Sequence, residues 1–152
     1  MNEVKNMRQL FQVLVIPFIR KETHVQFAVF LRTDMAVWQF ISGGGEDAES
    51  PQDAALRESR EELSLKNNFQ IYQLDSLAHI PSFHFSFNKP YVIPEYCFAI
   101  DLTLFSHKIK LSSEHKAIQW LSYQAANEIL EWDSNKTALY ELNERLKHED
   151  ML

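Results

Sequence analysis

The stretch that decides the fold runs from Ile41 to Leu65 and reads ISGGGEDAESPQDAALRESREELSL. It contains all three glycines of the 152-residue chain and seven carboxylate side chains. Consecutive glycines suit a main chain that turns tightly or approaches another group closely, because glycine has no Cβ atom. We therefore expect a glycine loop that brings a backbone oxygen atom next to the acidic residues.

The residues after the glycines predict a helix that runs to about Leu65. Ser50 can cap its N-terminus, and Pro51 suits the first helical position. Asp53 adds negative charge to the first turn, where the helix dipole favours it. The helix therefore begins directly after the glycine loop.

Three glutamates of this helix, Glu58, Glu61 and Glu62, fall at spacings i, i+3 and i+4 and should form one acidic stripe. Ala54 and Ala55, one turn earlier, are expected to leave room for a ligand. Such carboxylates repel by only roughly 0.2–0.5 kcal/mol per pair on an exposed helix, so a solvated surface helix remains an alternative interpretation. With a glycine carbonyl beside them, however, oxygen-only ligands favour Mg²⁺, or Mn²⁺ in its place, over zinc. Such an ion would bridge to phosphate oxygens.

The rest of the chain predicts one mixed α/β domain over residues 1–152. Aromatic and β-branched runs at 11–20 and 25–32 indicate a hairpin, and a short strand at 37–41 should end at the glycines. Longer strands are expected on either side of the loop PSFHFSFNKP. Ser122 can cap a helix to about Glu131, and a C-terminal helix is expected over 136–150, after an interruption at WDSN.

Composition limits the classes of function. The formal net charge of −6 disfavours nucleic acid as a partner, since an acidic chain does not neutralise a phosphate backbone. The single cysteine, Cys97, excludes an internal disulfide and suggests a reducing compartment. Without an apolar leader or a run long enough to cross a bilayer, we expect a cytoplasmic protein with no membrane partner. A homodimer is compatible with the sequence.

The segment from Gly43 to Leu65 resembles the Nudix box, G-x5-E-x7-R-E-U-x-E-E-x-G-U. The positions that match at the required spacing are Gly43, Glu49, Arg57, Glu58, Glu61 and Glu62. Two residues depart from the pattern: Ser59 stands where an aliphatic residue is usual, and Ser64 replaces the late glycine. The resemblance implies the Nudix fold, an α/β/α sandwich around a mixed β-sheet.

The resemblance also implies residue roles. Glu58, Glu61, Glu62 and the Gly43 carbonyl would bind Mg²⁺, Arg57 would hold one glutamate in place, and Glu49 would support the loop. The implied reaction is attack of water on a phosphorus atom of a nucleoside-diphosphate-linked substrate.

Weaker patterns outside the box are similar to the Nudix branch that hydrolyses dihydroneopterin triphosphate and dATP. That similarity implies that Glu95 of PEYCF binds metal and that Ser42 and Arg32 contact the substrate. Phe83, Phe85 and Phe87 alternate and could stack on a base, although alternating aromatics more often form one buried face of a strand. His84 is the best histidine candidate for a substrate contact.

Several alternatives stay open from the sequence. Glu114 competes with Glu95 and could supply a general base, whereas His115 is expected to be structural. The EH…WL pattern also occurs in dinucleoside tetraphosphate hydrolases. A non-catalytic nucleotide-binding regulator is the alternative from another class, and it would be expected to lose one of the metal glutamates.

Overall fold

The computed structural model describes residues 8–85 and 89–151. Within these residues the chain forms seven strands and three α-helices. The strands are β1 (Arg8–Arg20), β2 (Val25–Arg32), β3 (Trp38–Gln39), β4 (Ile41–Glu46), β5 (Ile71–Pro81), β6 (Val92–Asp101) and β7 (His115–Leu121). The α-helices are α1 (Pro51–Leu63), α2 (Tyr123–Ile129) and α3 (Asp133–Lys147), and short 3₁₀ turns lie at Ser82–Phe85 and Ser106–Lys108.

The long strand β1 organises the mixed sheet. One edge pairs in parallel with β6, which pairs antiparallel with β5. The other edge is shared, because the end of β1 pairs antiparallel with β2 and its earlier part pairs antiparallel with β4. The hairpin predicted from the two apolar runs is therefore confirmed. β2 also pairs with β3 and β7.

Both faces of the sheet are covered, since alternate side chains of a strand point to opposite faces. Val13, Val15 and Phe98 pack with residues of α1. Leu14 and Cys97 pack on the other face, in a cluster that includes residues of α2 and α3. The predicted α/β/α sandwich around a mixed sheet is therefore confirmed. No helix within the described ranges combines the length and hydrophobicity needed to cross a bilayer.

The prediction of a glycine loop is wrong. The three glycines lie inside strand β4, and none has a positive φ angle. The short strand expected to end at the glycines is instead two strands, because β3 pairs with β2 and β4 then continues along β1. The predicted interruption between the last two helices is present but lies earlier than WDSN, at 130–132, because α2 ends at Ile129 and α3 begins at Asp133.

The helix α1 begins as predicted and ends at a left-handed residue. The Ser50 hydroxyl accepts a hydrogen bond from the Asp53 amide at 3.1 Å. At the other end, Ser64 has φ 54° and ψ 39°, the conformation in which helices commonly end on glycine. The departure from the Nudix pattern at this position therefore leaves an L-residue in a conformation that glycine adopts more easily.

Replacing Ser64 with glycine should stabilise the protein. Removing Cβ from a left-handed residue should raise the free energy of unfolding by roughly 0.5–1 kcal/mol, or the melting temperature by a few degrees. Lys66→Gly is the matched control, because Lys66 is exposed and its φ angle is not positive. Urea unfolding of both variants measures the effect, and a Ser64→Gly protein no more stable than the wild type would contradict it.

Candidate active site

The glycines of β4 are explained by what lies against them. A Cβ atom at Gly43 would overlap the carboxyl group of Glu58, and one at Gly44 would overlap the guanidinium of Arg8. A Cβ atom at Gly45 would overlap the ring of Phe11. Close approach, rather than a turn, is therefore the reason for three glycines here.

Arg57 ties the helix to this strand. Its Nε atom donates to Glu49 Oε2 at 2.8 Å, and its Nη2 atom donates to Glu49 Oε1 at 3.0 Å and to the Gly44 carbonyl at 2.8 Å. Its Nη1 atom reaches Glu58 Oε1 at 3.1 Å and Glu61 Oε2 at 3.4 Å. The charge-assisted bonds from Arg57 hold the pKa of Glu49 below its usual range.

Glu49 also closes the connection between β4 and α1. Its Oε1 atom accepts from the Glu46 amide at 2.8 Å, and its own amide donates to the Glu46 carbonyl at 3.0 Å. These contacts match the supporting position that the resemblance implies for Glu49.

The three glutamates of α1 do not form one solvated stripe. Glu61 is exposed, Glu58 is half-buried and Glu62 is buried. Ala54 and Ala55 are fully buried against the sheet, so the expected space for a ligand beside them does not exist. The helix therefore presents its carboxylates in three different environments.

The segment before β7 is held against the end of α1 through Glu62. The Ser112 hydroxyl donates to Glu62 Oε2 at 2.5 Å, and the Ser112 amide donates to the Glu62 carbonyl at 3.0 Å. This docking brings in Glu114 and His115, and one ligand atom from each of Glu62, Glu114 and His115 lies within 4.8 Å of the others.

This cluster fits a divalent cation. Glu62 Oε1 and both ring nitrogens of His115 are buried without a hydrogen-bond partner among the described residues. His115 Nδ1 lies 2.6 Å from Glu62 Oε1, but the pair lacks hydrogen-bond geometry. Buried polar atoms that have no partner are costly, and a cation would satisfy the carboxylate oxygens. His115, expected to be structural, thus lies in the cluster.

Glu58 adds a carboxylate whose protonation depends on its surroundings. Burial raises its pKa to about 7, against the opposing effect of Arg57, and the negative charges of Glu61 and Glu114 raise it further. A cation beside Glu58 would favour the ionised form, so this group is suited to a site that takes a metal ion.

The structure does not bring Glu95 to these carboxylates. Glu95 alternates with Tyr96 along β6 and shares its face with Cys97, which packs on the α3 side of the sheet. It is 4% exposed, and burial raises its pKa to about 7, opposed only by a hydrogen bond with Ser134. Its role as a metal ligand stays a prediction, and Glu114 is the better-placed carboxylate.

A cavity of about 420 Å³ opens beside Gly43 and extends over the sheet. Of the predicted substrate contacts, Arg32 and Ser42 line it. Phe83 and His84 do not; they lie in a 3₁₀ turn rather than a strand, and Phe83 is 71% exposed. Their roles remain predictions, and Phe87, which would have completed the alternation, lies outside the described residues.

Phe85, one of the three alternating aromatics, does line the cavity, and the lining residues that sequence reasoning missed include Arg8, Gln12 and Gln39. A signal was present for the two glutamines, since each interrupts an apolar strand segment, FQVLV and WQF. A buried amide in a strand needs a partner, which is reason to suspect a binding surface. The contact between the Arg8 guanidinium and the Phe85 ring has no signal in the sequence, because the two residues are far apart in the chain.

The NUDIX domain family profile matches residues 12–142 of the sequence. The chain belongs to the Nudix family. A crystal structure of a NUDIX hydrolase from Listeria monocytogenes is 64% identical, covers 94% of this chain and 98% of its own, and superimposes with a TM-score of 0.89. The family profile and this similar structure together show that the protein is a Nudix hydrolase. Its fold is the Nudix fold that the box predicted.

Two further solved structures share the Nudix fold at lower identity. The E. coli dihydroneopterin triphosphate pyrophosphohydrolase is 21% identical, covers 91% of this chain and 99% of its own, and has a TM-score of 0.75. A C. elegans Ap4A hydrolase is 14% identical, covers 92% and 99%, and has a TM-score of 0.68. A comparison with curated proteins gives no significant match.

Replacing Gly43 with alanine should damage this Nudix hydrolase's site more than its fold. The new Cβ atom would displace the Glu58 carboxyl group, so hydrolysis of a phosphoanhydride should fall by about tenfold or more, with little change in melting temperature. Gly45→Ala is the control, because its Cβ atom would meet the Phe11 ring and should lower stability. Full activity in Gly43→Ala would show that Glu58 need not occupy this position.

Replacing Glu95 with glutamine should change how stability depends on pH. With a folded-state pKa of about 7 against an ordinary 4.5, the folded wild-type protein binds the proton more tightly. Its stability should therefore fall as pH rises from about 5 to 7.5, with an upper limit on the order of 3 kcal/mol from Glu95. Glu95→Gln should weaken this fall, measured by urea unfolding in EDTA.

The same variant tests metal binding. If Glu95 is no ligand, Mg²⁺ should stabilise Glu95→Gln and the wild type equally at pH 7.5. A loss of that stabilisation in the variant would instead support the ligand role that the resemblance implies.

Proposed function

We propose that this Nudix hydrolase is a Mg²⁺-dependent pyrophosphohydrolase that cleaves a phosphoanhydride bond of a nucleoside triphosphate or a pterin triphosphate. The observation that carries the proposal is the convergence of Glu62, Glu114 and His115 within 4.8 Å, with Glu114 and His115 also lining the cavity. A cation site and a pocket for an organic group thus share one border, as a polyphosphate ester requires.

The metal would be held by Glu58, Glu61 and Glu62 of α1 together with the Gly43 carbonyl, and Glu114 completes the set in place of Glu95. Oxygen ligands of this kind suit Mg²⁺ or Mn²⁺. When bound, the ion supplies Lewis-acid polarisation of the phosphate and activation of water.

The protein groups account for positioning and proton transfer. Arg57 keeps Glu49 and the Gly44 carbonyl in register with the helix, so it positions the site rather than acting on the substrate. Glu114 is exposed and borders the cavity, which suits it to accept the proton of the attacking water.

Arg32 provides positive charge for the phosphates. Its Nε and Nη2 atoms donate to the Asp34 carboxylate at 2.8 and 2.7 Å, which fixes the plane of the guanidinium. The Nη1 group keeps its two donors for a phosphate oxygen. Attack of water on phosphorus then releases a nucleoside or pterin monophosphate and pyrophosphate.

Glu62→Gln should abolish most of the activity. The substitution removes a charge from the most buried carboxylate of the cluster, so kcat should fall by about 100-fold or more. Glu128→Gln, on the exposed face of α2, is the matched control and should behave as the wild type.

The assay should use dATP, dihydroneopterin triphosphate and diadenosine tetraphosphate with Mg²⁺, and with EDTA as a blank. Release of pyrophosphate from a triphosphate supports the proposal, whereas cleavage of the tetraphosphate alone would favour the dinucleoside alternative. No turnover of any of the three, or full activity of Glu62→Gln, would contradict the proposed chemistry.

A further inference from the structure

Two glutamines form part of the cavity wall next to the proposed metal site. Gln12 comes from β1 and Gln39 from β3, and they are 6% and 5% exposed. The polar atoms of an amide buried to this degree are satisfied by the protein, by water or by a ligand. The hydrogen-bonding groups that these two amides leave unpaired therefore indicate which kind of ligand fits the cavity.

The orientation of both amides follows from their partners. Gln39 Oε1 accepts from Trp132 Nε1 at 3.0 Å, and Gln12 Oε1 accepts from Arg8 Nη2 at 2.7 Å. Indole and guanidinium groups only donate hydrogen bonds, so the amide oxygen atoms must face them and the NH₂ groups must face elsewhere. Tryptophan and arginine thereby determine which end of each glutamine is left for the cavity.

The NH₂ groups retain most of their donors. The Gln12 NH₂ group makes no hydrogen bond within residues 8–85 and 89–151, and the Gln39 NH₂ group makes only a long one, 3.4 Å, to Ser42 Oγ. The Ser42 hydroxyl, having accepted that bond, can turn its own hydrogen toward the cavity.

Two of the acceptors that line the cavity already receive hydrogen bonds from arginines. The Asp34 carboxylate accepts two hydrogen bonds from Arg32, and the Gly44 carbonyl accepts one from Arg57. Glu114 belongs to the carboxylate cluster at the metal end. The two glutamine NH₂ groups therefore add donors to the part of the wall away from the metal.

The cavity also provides a surface for a flat ring. Phe85 lines it, and the Arg8 guanidinium carbon lies 4.5 Å from the centre of the Phe85 ring. A guanidinium plane on an aromatic ring makes a wall on which a heterocycle can stack.

We propose that Gln12 and Gln39 select a heterocycle with two adjacent hydrogen-bond acceptors, a 6-oxopurine or 4-oxopteridine, over a 6-aminopurine. This inference rests on the proposed function. A 6-oxopurine presents O6 and N7 as acceptors, whereas adenine presents an amino donor beside N7. Against amide NH₂ groups the oxo ring forms hydrogen bonds, but the amino ring leaves two donors facing each other. The substrate class is thereby narrowed to oxo-heterocycle triphosphates, with dATP disfavoured.

The test compares dITP with dATP, because these nucleotides share sugar, triphosphate and ring and differ in the group at position 6. The wild-type protein should hydrolyse dITP with a kcat/KM at least about tenfold higher. Equal values, or a preference for dATP, would overturn the inference.

Gln39→Glu and Gln12→Glu test the assignment to these residues. Each variant keeps an oxygen acceptor for Trp132 or Arg8 but loses the NH₂ donors, so the dITP to dATP ratio should fall by about tenfold in each. The ratio does not depend on how much of the variant is folded. Gln119→Glu, exposed on β7, is the matched control and should leave the ratio unchanged. An unchanged ratio in both cavity variants would contradict the role of the glutamines.

Binding measurements separate this inference from the proposed chemistry. Calorimetry with dITP and dATP in the presence of Ca²⁺ should give the same order of affinities. If neither nucleotide is hydrolysed but dITP binds more tightly, the proposed chemistry fails and the inference survives. If both nucleotides are hydrolysed without preference, the proposed chemistry survives and the inference about the glutamines fails.

Discussion

The structure of this site depends on the missing side chains of β4. The segment Gly43–Gly45 lies on the edge of β1, and groups from both faces of the sheet press against its main chain. On one face the Glu58 carboxyl group takes the volume of a Cβ atom at Gly43, and on the other the Arg8 guanidinium does so at Gly44. A single methyl group at either position would displace a charged group that borders the cavity or the carboxylate cluster.

Arg57 converts this close approach into a defined geometry. It contacts a backbone carbonyl of the strand, Glu49 of the connecting segment and two glutamates of its own helix. A planar guanidinium with several donors can hold these groups in one arrangement, which an ammonium group would not do. The ionised forms of Glu49, Glu58 and Glu61 would otherwise repel one another, so Arg57 also reduces the electrostatic cost of assembling the site.

Neighbouring residues of β1 and β4 contact different groups, because alternate side chains of a strand point to opposite faces of the sheet. Along β1, Val13 packs toward α1 while Gln12 faces the cavity, and along β4 Gly43 contacts Glu58 while Gly44 contacts Arg8. The same two strands thus contact a glutamate of α1 through some residues and line the cavity through the residues next to them.

Much of this could be predicted from local sequence. The cap at Ser50, the glutamate spacing and the run of glycines identified helix α1 and the family, because helix periodicity and capping depend on neighbouring residues alone. The alternating apolar runs likewise predicted the β1–β2 hairpin. The box motif then implied the sandwich fold and the contacts of Arg57.

What only the tertiary structure decided concerns residues far apart in the chain. It made the glycines a strand, turned Glu95 toward α3, brought Glu114 and His115 to Glu62, and placed Gln12 and Gln39 in one cavity. None of these follows from local periodicity, since the face on which a strand residue lies depends on register and on which element packs over it. The sequence by itself determined the helix, the family and the number of acidic residues. The fold determined which carboxylates meet and which amides line the cavity.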